Sequence, residues 1–93
     1  MRGVVTQEIK EKAISYFPNG IDEMQLRLMP YVCYVAQNDK VIDLRKINAD
    51  EEDELMIWEE NGWIDNYSKD IEIREDFWDF MNKLIYLSYV RGS

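Results

Sequence analysis

No histidine occurs anywhere in these 93 residues. That absence removes the side chain most often used as a general base near neutral pH, and with it Ser-His-Asp and Cys-His arrangements and every imidazole metal site. Cysteine is confined to Cys33, which excludes an internal disulfide and agrees with a reducing compartment. Set between Val32 and Tyr34 with no neighbouring cation, it reads as a buried, inert thiol. The four glycines, Gly3, Gly20, Gly62 and Gly92, stand in no phosphate-cradling pattern. No run approaches the roughly 18 apolar residues of a membrane span, and the N-terminus lacks the features of a secretory signal. A cytoplasmic location with no membrane association is expected. Internal repeats and low-complexity segments are missing as well.

What is present in quantity is aromatic surface and negative charge. Trp58, Trp63, Trp78, six tyrosines and three phenylalanines can fill the core of one small domain, expected over residues 1–93. The stretch FWDFMNKLIYLSYV, Phe77 to Val90, is the natural centre. On a helix, Phe77, Phe80, Met81, Leu84, Ile85 and Ser88 share one face, and Trp78, Tyr86 and Tyr89 cover much of the rest. Only Asp79, Asn82 and Lys83 mark a narrow solvent strip, so a helix buried on several sides is expected, with Trp78 and Phe80 as heavily buried aromatics.

Earlier segments supply what packs around it. Thr6 is a fitting N-cap for a short amphipathic helix that buries Ile9, Ala13, Tyr16 and Phe17 and ends at Pro18-Asn19-Gly20. Asp22, with Gln25 three residues on, forms a capping-box pattern for a second helix burying Met24, Leu28, Tyr31, Val32 and Val35. Pro30 predicts a kink or a break within it. Two assignments stand for Tyr31 to Ala36: continued helix, or a strand suited to its β-branched and aromatic content. Val41 to Leu44 reads as a short strand. Asn48 and Glu51 form a second capping-box pattern, opening a helix from Ala49 to about Asn61 with Leu55 and Trp58 on one face, Met56 beside them, and Gly62 as a left-handed C-cap. Trp63-Ile64 and Asp70 to Ile73 have the spacing of a hairpin. The expected fold is mainly α with a small β-hairpin, an α+β domain with a buried C-terminal helix. This element order resembles winged-helix modules, in which a two-stranded wing follows a third helix; the resemblance lies in layout between about residues 7 and 73.

The charge is unevenly placed. Residues 48–79 hold thirteen acidic and two basic side chains, a net −11 within a chain of net −8. In a winged-helix layout the third helix and the wing would meet nucleic acid, yet this helix opens with DEEDE and the hairpin adds Asp65 and Asp70. A phosphate backbone would be repelled, so no direct nucleic-acid binding is expected there. The acids also suit neither a two-carboxylate hydrolase, which needs opposed groups across a cleft, nor an EF-hand loop, which needs alternate spacing and a central glycine. No enzyme activity, cofactor or metal is expected.

Two functional readings follow. In the first, Asp50, Glu51, Glu52, Asp53, Glu54, Asp65 and Asp70, with Trp58, Trp63 and Tyr67, form a partner-binding face that docks on a basic, nucleic-acid-binding protein such as a nuclease. In size and charge the chain is similar to nuclease immunity, anti-restriction and anti-CRISPR proteins, which resemblance implies an inhibitor. In the second, the C-terminal helix forms a homodimer through Trp78, Tyr86 and Tyr89, the protein is a regulatory or structural subunit, and the acids serve solubility.

Overall fold

In a computed structural model, residues 5–90 are described. Four α-helices, α1 (Gln7–Ala13), α2 (Glu23–Gln37), α3 (Ala49–Glu60) and α4 (Glu75–Ile85), are joined by a 3₁₀ turn (Leu44–Lys46) and a two-stranded hairpin, β1 (Ile64–Asp65) and β2 (Glu72–Ile73). A π-helical turn (Tyr86–Val90) extends α4. The mainly helical architecture with one small antiparallel sheet is as expected. Among the described residues no helix is long and apolar enough to cross a membrane.

Helix starts are set locally. Thr6 Oγ1 accepts from the Ile9 amide at 3.2 Å. The Asp22/Gln25 and Asn48/Glu51 pairs each form a reciprocal capping box, with all four bonds between 2.8 and 2.9 Å. Each box satisfies two amides that the helix itself cannot, and such a cap contributes about 1 kcal/mol. Gly62 follows α3 at φ +79°, where a side chain would meet backbone strain.

The middle of the chain decides one open assignment and corrects one expectation. α2 runs unbroken through Pro30, and Tyr31 to Ala36 is helix, not strand. Its buried set is Leu26, Leu28, Met29, Val32, Cys33 and Val35, while Met24 and Tyr31 are only half-buried. Burying six such side chains at about 1.5–3 kcal/mol for each large one outweighs the roughly 3 kcal/mol that an interior proline costs. Val41 to Leu44 is not a strand. Lys40 at φ +66° redirects the chain, and the Asp43 carboxylate accepts from the Arg45 amide to open the 3₁₀ turn. Only Ile42 is buried there, and two isolated bonds tie this segment to the hairpin loop: Ile42 N to Tyr67 O at 2.9 Å and Ile71 N to Lys40 O at 2.7 Å.

α4 packs against α1 and α2, burying Phe77, Phe80, Met81 and Leu84. Its solvent strip is wider than expected: Tyr86 is 54% exposed, and Trp78, Ile85 and Tyr89 are half-buried. Phe77, with no exposed surface, takes the place expected of Trp78. Around it lies an aromatic cluster, with Trp63 stacked at 4.9 Å and Trp58 edge-on at 5.2 Å. Tyr16 joins it edge-on at 5.4 Å from Phe77, and its hydroxyl donates to Asp76 Oδ2 at 2.6 Å. Arg74 donates to the same carboxylate through Nε and Nη2. These bonds hold the Asp76 carboxyl far below the usual carboxylate range and clip the end of α1 to the start of α4.

Candidate functional site

α3 divides the acidic residues into two groups. With 3.6 residues per turn, the side carrying Leu55 and Trp58 also carries Glu54. Trp58 has no exposed surface and Glu54 has 7%. Trp58 therefore has no surface to offer a partner, whereas Glu54 keeps a small accessible part of its side chain. Glu54 is a structural acceptor, taking Trp58 Nε1–H at 2.7 Å and Gln25 Nε2–H at 3.0 Å on one oxygen, Oε2. That arrangement joins α3 to α2 and satisfies the buried indole.

The opposite side of α3 is the charged one. Asp53, Glu59 and Glu60 are exposed there and Glu52 is half-exposed, while Asp50, exposed, and Glu51, half-exposed, lie in the first turn one turn before Glu54 and Leu55. Glu51 is engaged by its capping box, where its side chain accepts from Asn48 N. Set among these acids are two apolar side chains, Met56 and Ile57, each 48% exposed; Met56 is thus not beside Leu55 and Trp58 on the inward face as expected. No Lys or Arg occurs between residues 47 and 68. Among the described residues, no ion pair within 4.0 Å involves a carboxylate of α3; the pairs present are Arg27–Glu23, Arg45–Asp43 and Arg74–Asp76.

The hairpin residues distribute differently. Tyr67 lies beside α3: burial, followed by the charges of Glu52 and Glu59, raises its phenol pKa. Trp63 is half-buried and held by its stack on Phe77 and edge contacts with Tyr16 at 5.3 Å and Phe17 at 5.6 Å. Its role is chiefly in the core. Asp65 and Asp70 are exposed, and Asp65 faces Glu72 directly across the two strands, an unfavourable pairing of like charge. The structure thus brings Tyr67 to the acidic helix and keeps Asp50, Glu52 and Asp53 on its surface.

Comparison with known proteins gives no match. No family model, curated protein or solved structure aligns with the chain. The functional reading therefore rests on the surface itself. Among the described residues no group of three or more cysteine, aspartate or glutamate side chains is placed to hold a metal ion. Cys33 is buried, and burial pushes its thiol up to about 11, leaving almost no thiolate at neutral pH.

One concavity adjoins the acidic face. A cleft of about 210 Å³ lies between the Pro18–Gly20 turn, the start of α2 and the C-terminal half of α3. Tyr16, Phe17 and Trp63 supply aromatic walls, Ile57 and Asn61 line it from α3, and Glu54 and Gln25 complete it. Its residues are scattered between positions 16 and 63, so only the fold assembles them.

Proposed function

We propose that this protein is a small interaction module that docks the outward face of α3 on a basic, nucleic-acid-binding surface of a partner protein, acting as an inhibitor or immunity-type protein. One observation carries the reading: carboxylates at Asp50, Asp53, Glu59 and Glu60, without an ion-pair partner among the described residues, surround the exposed apolar side chains Met56 and Ile57. Charge of one sign steers a cationic partner at long range, and apolar contact holds it once docked. A purely solubilising face has no need of two half-exposed large apolar side chains at its centre. Tyr67, Asp65 and Asp70 extend the same sign of charge and an aromatic contact toward the hairpin. In a winged-helix-like layout this would be the helix presented to nucleic acid, and its charge favours a protein that binds nucleic acid over the nucleic acid itself.

The homodimer reading draws on the exposed Tyr86 and places the contact elsewhere, on the last helical turn. The two differ in their response to salt, because charge attraction between exposed groups is screened over about 8–10 Å at physiological ionic strength whereas apolar burial is not. The test is affinity capture from the source cell, comparing the wild-type chain with one carrying Asp50→Asn, Asp53→Asn, Glu59→Gln and Glu60→Gln. Glu51 and Glu54 stay intact because they hold the helix start and the Trp58 indole. Retention of a basic nucleic-acid-binding protein by the wild type, lost in the variant and weakened by salt, supports the proposal. Equal capture by both chains, or recovery only of the protein's own copies, overturns it.

A further inference from the structure

The cleft beside α3 contains an imbalance that the fold does not resolve. Glu54 is 7% exposed, yet both of its donors, Trp58 and Gln25, are neutral and both use Oε2. Among the described residues no donor reaches Oε1, and no Lys or Arg nitrogen lies within 4.0 Å of the carboxylate. Oε1 is also not among the fully enclosed orphan atoms, of which Ser88 Oγ is the one found in the described residues. Glu54 is one of the residues that line the cleft. Carboxylates removed from water are normally paired with a cation, and here the position for one is the cleft.

Resting on the proposed docking function, we infer that this cleft is the socket for a single guanidinium group, the arginine side chain of the basic partner. Three features select that occupant. The cleft is lined by Glu54, which carries a carboxylate, and by Asn61; a guanidinium offers several donors in one plane and can serve both a carboxylate and an amide oxygen. Aromatic rings of Tyr16, Phe17 and Trp63 line the walls, and guanidinium groups favour aromatic surfaces through cation–π and stacking contacts. The volume of about 210 Å³ suits one side chain and falls below the roughly 300–1,000 Å³ of sites for drug-sized ligands. Ile57 belongs both to the cleft and to the exposed face of α3, so an arginine seated here would sit at the edge of the docked surface.

The experiment needs no partner and so can fail independently of the docking reading. N-acetylarginine methylamide is titrated into the isotopically labelled full chain while the indole Nε1–H resonances of Trp58 and Trp63 are followed. N-acetylcitrulline methylamide, of the same shape without the charge, is the control. The expected result is a saturable shift of the Trp58 indole with the arginine compound, at least about tenfold weaker binding of the citrulline compound, and a similar loss in Glu54→Gln. The glutamine side-chain oxygen can still accept from Trp58 and Gln25, so that variant retains the local bonds, and the citrulline comparison on the wild type requires no variant. N-acetyllysine methylamide binding as tightly as the arginine compound would overturn the choice of guanidinium. No saturable shift up to about 20 mM, or equal shifts with arginine and citrulline, would overturn the socket itself. Either result leaves the capture experiment, which tests the outer face of α3, to be judged on its own outcome.

Discussion

Replacing Glu54 by methionine separates its structural role from its charge. The substitution removes the acceptor of a fully buried indole N–H while keeping a side chain of similar length. Stranding the Trp58 donor, bonded at 2.7 Å, costs about 1–3 kcal/mol. Gln25 is half-buried and its freed amide can turn to water, adding at most about 1 kcal/mol. Burying the methionine and removing a poorly compensated charge offset part of this loss, so the expected net destabilisation is about 2 kcal/mol. In a domain of this size that is a large fraction of the total stability of about 5–15 kcal/mol. Glu54→Gln keeps the accepting oxygen and should stay within about 1 kcal/mol of wild type. Equilibrium urea unfolding followed by far-ultraviolet circular dichroism measures both, with unchanged slopes confirming a common unfolding reaction. A methionine variant as stable as wild type would show that the bonds to Trp58 and Gln25 merely accommodate a misplaced acid and do not fasten α2 to α3.

Three further outcomes are expected. Phe77→Ala, at a site with no exposed surface, should cost about 3–5 kcal/mol in urea unfolding; Trp78→Ala, half-buried, should cost clearly less, and the reverse order would contradict the placement of α4. Ser88→Ala removes a buried hydroxyl that has no partner among the described residues and should raise stability by up to about 1 kcal/mol, whereas a loss of that size would reveal a bond to Oγ. Asp76 is held below its ordinary pKa by Arg74 and Tyr16, so its contribution is present above about pH 4 and disappears as pH falls through the depressed value. Thermal melts should therefore show Asp76→Asn less stable than wild type at neutral pH, with the gap narrowing below about pH 4; a constant gap would contradict the linkage.

Features set by near neighbours were legible in the sequence. Both capping boxes, the Thr6 cap, the helical extent of α3 and the positive φ of Gly62 follow from residues within three or four positions of one another. The inward aspect of α3 was only half read. Leu55 and Trp58 were placed correctly, but Glu54, which is i−4 to Trp58 and hence on the same side, was grouped with the surface acids because its charge was taken as a sign of exposure. The same spacing turns Met56 and Ile57 outward, although Met56 was grouped with Leu55 and Trp58 because it is apolar. Tyr31 to Ala36 left helix and strand both open because propensity is local, and helix is the assignment found; the burial of Val32, Cys33 and Val35 against the rest of the core, which decides it, is tertiary. The cleft had no sequence signature, since its lining comes from residues 16–20, from Gln25 and from residues 54–63, which only the fold brings together.

The central claim is that a basic partner meets the exposed face of α3. Amide hydrogen exchange of the chain, free and bound to the protein it captures, locates that contact directly. Contact along Asp50 to Glu60, continuing to the Pro18–Gly20 turn and Tyr67, is predicted, with the Tyr86 end of the molecule unchanged. Protection confined to α2 and the last helical turn would contradict the account and assign the acidic face to solubility.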